Sequence, residues 1–271
     1  MEAKILWIQA LKLFVYPSEL IFQYNVVIKH LVTTMITAYT ENGWQIITQR
    51  SHGLLAGQIC ARWKLSNQPD RWIETLIATA EHDDVFNEFE RNPLIDENGA
   101  PINFKETSFD LDASTRLLDM ALTKSRFIAL LINRHIRFTH GDDPLAKEFI
   151  SNLKKQEKHW LADAGVDKKE LDMAYELLEF CDAFSLLICQ SQIPPEGRRI
   201  EISCGPDGTP YSLFQSKESI IVEPWPFAVG KFEIGFERRK IEQLQFKNDE
   251  EFRTLLKNSD IENVRFTLAE K

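Results

Sequence analysis

A change of hydrophobic period divides this chain and limits the folds open to it. Up to Gln190-Ser191, apolar residues recur at helical spacing; after Pro194-Pro195-Glu196-Gly197 they alternate, as in strands. Before the break, His52, Leu55, Ala56, Ile59 and Trp63 share one helical face, and Trp72, Ile73, Leu76, Ile77 and Ala80 define the next helix. Further helices are expected over Asp112 to Thr123, Ser125 to Phe138 and Pro144 to Trp160, and a long one opens on the capping pair Asp167 and Glu170. A short hairpin turning at Glu41-Asn42-Gly43 precedes them, from Met35 to Thr48. After the break, strands are expected over Arg199 to Cys204, Tyr211 to Gln215, Ser219 to Glu223, Phe232 to Glu237 and Asn263 to Leu268, with a helix at Asp249 to Lys257. The fold class this implies is mainly α: a helical domain over residues 35–191, carrying a small C-terminal α+β appendage over residues 192–271.

Residues 1–34 stand apart. Their apolar runs, Ile5 to Tyr16 and Leu20 to Met35, fall short of a membrane span, the second being broken by Gln23, Lys29 and His30. Met1-Glu2-Ala3-Lys4 lacks the net positive charge of a signal peptide. Residues 1–34 read either as an amphipathic N-terminal helix or membrane-surface contact or, because the pattern after Met35 is self-sufficient, as an extension outside the native protein, and they are expected to be dispensable. A net charge of −9 argues against binding phosphate backbones, so no nucleic-acid partner is expected. Four cysteines without CxxC spacing suit reduced thiols in the cytoplasm.

The chemistry concentrates at a few helical positions. His82 and Asp83 follow the face of the second helix, with the small Thr75, Ala78 and Thr79 one turn back. His52 and His135 each lie on an apolar stripe, and so does Asp182, in line with Leu171, Tyr175, Leu178, Ser185, Leu186 and Cys189. A lone buried carboxylate costs several kcal/mol, so Asp182 needs a partner. Either an arginine such as Arg134 or Arg126 pairs with it, or it joins the inward-pointing His52, His82, Asp83 and His135 around a metal. Imidazole with carboxylate suits Mn²⁺, Fe²⁺, Ni²⁺ or Zn²⁺. Asp83 would bridge ions or accept a proton, and Asp84 would orient a ligand histidine.

The ordered set His52, His82-Asp83, Asp182 resembles the HD superfamily of metal-dependent phosphohydrolases, named for the paired His and Asp. That resemblance covers about Ser51 to Cys189 and implies an HD-like helical bundle. It further implies His52, His82, Asp83 and Asp182 as metal ligands and His135 as the additional histidine of two-metal members, hence one or two divalent ions. The wording GWQIITQRSHGLLAGQIC, HDDVFNEFE and CDAFSLLIC is also similar to an uncharacterised bacterial family that begins near the position of Met35. HD hydrolases often continue His-Asp-x-Gly-Lys, whereas here the chain runs His82-Asp83-Asp84-Val85-Phe86, so Arg134, Arg126 or Lys124 would supply the charge that holds phosphate. The activity implied is metal-dependent hydrolysis of a phosphate ester or nucleotide-like small molecule. The alternatives are a di-iron oxygenase on the same scaffold and a non-catalytic regulatory or interaction protein.

Overall fold

The structure, a computed structural model, describes residues 35–90 and 93–271; the expected N-terminal extension, residues 1–34, lies outside the described residues. The chain opens with the hairpin β1 (Met35–Thr40) and β2 (Gly43–Thr48), then α1 (Gln49–Cys60) and α2 (Trp72–Ala80). Next come α3 (Leu111–Leu122), α4 (Arg126–Thr139), α5 (Lys147–Ala164) and α6 (Lys168–Cys189). Strands β3 (Ile200–Cys204), β4 (Pro210–Ser216), β5 (Ser219–Glu223) and β6 (Lys231–Ile241) follow, then α7 (Asp249–Asn258) and β7 (Asp260–Ala269). Helix starts follow local chemistry. The Thr48 hydroxyl accepts from the Ser51 amide at the head of α1, Ser125 caps α4, and Asp167 with Glu170 forms a complete capping box on α6.

The strands form one seven-stranded mixed sheet in the order β1-β2-β6-β7-β5-β4-β3. Its pairings are antiparallel except for β5 with β7. This corrects the expected fold class. The protein is mixed α/β, and the strands are a principal layer of it, joined by the hairpin: Trp44, Gln45 and Ile46 of β2 pair with Ile241, Lys240 and Arg239 of β6. The local pattern gives each strand but not its neighbours, because a strand's partner is fixed by long-range register and burial.

The layers explain where a site can form. One core cluster packs Leu55, Ile59 and Trp63 of the α1 region and Phe180 and Phe184 of α6 against Leu213, Val222, Ile234 and Phe236 of the sheet. Gln58 ties α1 to β6 twice, its side-chain amide donating to the Gly235 carbonyl at 2.8 Å and its oxygen accepting the Gly235 amide at 3.0 Å. A second cluster joins α2 to α5, and α6 serves both, giving Leu171, Ala174 and Leu178 to this one. Helices α1 and α6 therefore lie between the sheet and the outer helices. Polar groups on their outward faces are buried, which commits them to partners there.

Candidate metal centre

Four segments bring five titratable side chains to that inner boundary. His52 comes from α1, His135 from α4 and Asp182 from α6, all buried. His82 and Asp83 do not continue α2 as the sequence suggests. The helix stops at Ala80, Glu81 leaves helical geometry at φ −117°, and the pair stands in the turn beyond. The stop is what makes the histidine useful. An α-helix ends with unused carbonyls, and that of Thr79 lies 2.8 Å from His82 Nδ1. A carbonyl only accepts, so Nδ1 carries a proton and Nε2 is the nitrogen left to face the cluster.

His52 is held in the same sense. Ser185 Oγ donates to the Asp182 carbonyl at 2.9 Å, which leaves it to accept from His52 Nδ1 at 2.8 Å. Both rings thus turn Nε2 inward, 3.2 Å apart. Asp182 Oδ1 completes a triangle, 3.0 Å from His52 Nε2 and 3.3 Å from His82 Nε2. First-row metal bonds of about 2.0–2.2 Å place adjacent donors roughly 2.9–3.5 Å apart, and the triangle matches that spacing. Asp83 Oδ2 lies 3.5 Å from His82 Nε2. His135 joins through its contact with His82, the ring centroids being 4.8 Å apart. Donor atoms of His52, His82 and Asp83, and of His82, His135 and Asp182, fall within 4.8 Å of one another.

The electrostatics belong to groups that share charge. Burial pushes the Asp182 carboxyl up, but His82 and His52 outweigh it and hold the group well below the usual carboxylate range. Burial likewise disfavours a charged His82, yet Asp83 and Asp182 raise it to about 9. His135, buried beside His82, is pushed down to about 4. Without a bound cation, the cluster keeps one proton on its central histidine.

The other expected residues lie apart from the triangle. Asp84 faces Arg50, whose Nε is 3.2 Å from Oδ1, while Arg50 Nη2 donates to the Asp84 carbonyl at 2.6 Å. Orienting the histidines falls to the Thr79 carbonyl and Ser185, which sequence reasoning missed. The i, i+3 spacing of Asp182 and Ser185 was the available signal. Arg134 pairs with Glu157 and Asp172, each at 3.0 Å, and Arg126 with Asp163 at 3.5 Å, so neither is the partner of Asp182. Lys124 is held by Glu81 at 2.8 Å. The charge expected of these three is committed to acids outside the five-residue cluster.

These observations define a mixed α/β protein with three buried histidines, the buried Asp182 and the half-buried Asp83 clustered at the seam between two helical layers. Residues 35–243 match a family described as protein of unknown function, DUF3891, and the chain belongs to that family. No curated protein and no solved structure matches the chain. The expected membership of the HD superfamily and the all-α architecture that went with it are therefore corrected: the match is to this family, and the chain builds a seven-stranded sheet. An ordered set of histidines and aspartates reports ligand chemistry, which recurs on unrelated folds, and does not carry a fold with it.

Proposed function

We propose that this protein is a metal-dependent hydrolase, acting on a phosphate ester or nucleotide-like small molecule through one divalent transition-metal ion. One observation supports the reading. Two imidazole nitrogens and a carboxylate oxygen meet at 3.0–3.3 Å with both ring protons committed outward to Thr79 and Ser185. Such a group needs a shared cation: a proton on His82 serves when metal is absent, and a divalent ion would take its place among the three donors. Both ligand groups include His82, whose inward nitrogen has one lone pair, and this favours a single ion over two. His52, His82, Asp83 and Asp182 would hold it, with His135 beside them. Their mixed donors suit Mn²⁺, Fe²⁺, Ni²⁺ or Zn²⁺.

A bound divalent ion supplies Lewis acidity and a water whose pKa falls towards neutrality. The chain's own contribution is positioning and proton transfer. The groups behind His52 and His82 engage Nδ1 of each ring and turn Nε2 inward, and Asp182 is kept ionised by the imidazoles around it. Asp83 is the most exposed of the ligand side chains in ion pairs here, at 19% against 12% for Asp182, so it stands at the solvent edge. There it accepts the proton released as water oxygen bonds to phosphorus. The ester bond breaks, and that proton passes to the departing alcohol.

No helix among the described residues is long and apolar enough to cross a membrane. The four unpaired cysteines support placing this activity in the reducing cytoplasm. Metal analysis of natively purified protein tests the reading, with about one transition-metal ion per chain expected. Asp182→Ala should lose that metal and, with it, hydrolysis of para-nitrophenyl phosphate by the metal-loaded protein. Wild-type protein that neither retains nor takes up metal would overturn the proposal.

A further inference from the structure

We infer that the Tyr175 hydroxyl donates a hydrogen bond to an oxyanion bound at the metal centre, making it a substrate-binding residue that selects a phosphate-like group. The inference rests on the hydrolase reading and assigns that site a ligand contact. Tyr175 precedes Asp182 on α6 by seven residues, two helical turns, and so shares its face. Its ring packs on His135, with centroids 6.5 Å apart, and on Phe138 at 6.2 Å. The side chain is partly exposed, yet its hydroxyl oxygen is buried and has no hydrogen-bond partner among the described residues. The ring edge therefore faces solvent while the polar tip points into the protein.

Packing does not account for that oxygen. A phenylalanine would make the same ring contacts without burying a hydroxyl that needs a partner. Burial holds the phenol well above its usual range, with Glu179 and Asp182 adding to the rise and Arg134 and Arg137 opposing it, and its ring contact with His135 sets it beside the cluster. Those arginines are tied to Glu157. A phenol ordinarily titrates near 10, so at neutral pH it is a donor. An oxyanion on the ion of the proposed centre offers the acceptor this donor lacks.

The test uses the full chain loaded with metal and inorganic phosphate as the probe, with binding followed by calorimetry for wild type and Tyr175→Phe. The expected result is phosphate binding weakened about tenfold. Metal per chain should be unchanged, and the thermal midpoint without phosphate should be equal or higher. Equal phosphate affinities would overturn the assignment, as would a Tyr175→Phe protein that loses metal or fails to fold, since the hydroxyl would then be structural. A metal-loaded wild type that binds no phosphate overturns this inference and leaves the metal centre standing. A wild type that takes up no metal removes both.

Discussion

Ser185 and Thr79 decide the chemistry of two histidines that the spacing of the chain only brings inward. The Ser185 hydroxyl receives the His52 Nδ1 proton, and Ser185→Ala removes that acceptor from a buried ring. Partners behind a ligand histidine typically contribute about 10–100-fold to metal affinity, so Ser185→Ala should weaken metal binding by that range with little change in overall fold. Competition against a chelator of known affinity measures it, and unchanged affinity would contradict the geometry. The pH dependence follows from His82. Raised from 6.5 to about 9, it binds a proton more tightly folded than unfolded. In the metal-free protein its contribution to stability is fully present below about 6.5 and is lost as pH rises through 9. His135, lowered to about 4, acts in the opposite sense: its unfolded form gains a proton first, so it costs stability as pH falls from 6.5 towards 4. A metal must displace the His82 proton, so apparent affinity should climb about tenfold per pH unit between roughly pH 6.5 and 9. Titrations across that window check it, and a flat profile would show that His82 enters the complex already neutral.

At the scale of elements, the decisive contact is the approach of α1 to the end of α2, because it sets the distance between His52 and His82. Two glycines on α1 permit it. A Cβ on Gly53 would lie 2.6 Å from the Ala80 carbonyl oxygen, and one on Gly57 would lie 2.8 Å from the Ala80 Cβ. Alanine favours an isolated helix over glycine by about 1 kcal/mol, but at Gly53 the clash is with backbone and has no side chain to give way. Gly53→Ala should therefore destabilise the protein by about 1–3 kcal/mol in denaturant unfolding and lower metal affinity in parallel. A variant as stable as wild type, with full metal affinity, would show that the site does not depend on this close approach. From sequence alone the two glycines read as ordinary helical residues, because the partner that makes them necessary is 27 positions from Gly53.

For the whole molecule, the core shared between sheet and helices predicts that the helices do not stand alone. Phe180, Phe184, Leu55, Ile59 and Trp63 pack on Leu213, Val222, Phe232, Ile234 and Phe236. A fragment limited to residues 49–191 would expose that apolar face to water, at about 25 cal/mol for each Å². It should lack a cooperative unfolding transition and the near-ultraviolet dichroism of packed aromatic rings. A fragment that unfolds cooperatively would mean that the outer core of α2 to α6 is sufficient.

The sequence by itself determined most of the elements and which titratable side chains are drawn inward. The 3.6-residue stripe carried His52, His135 and Asp182 to buried faces, capping residues opened α1, α4 and α6, and alternation marked the strands after Pro194-Pro195. All of these are properties of neighbours within a few positions. Only the tertiary structure decided that the strands of both chain ends share one sheet, that α2 stops short of His82, and that Asp182 meets imidazoles and not Arg134. Each of those outcomes depends on groups far apart in the chain. Their energies arise when burial removes water and leaves a polar atom to find its partner across the fold.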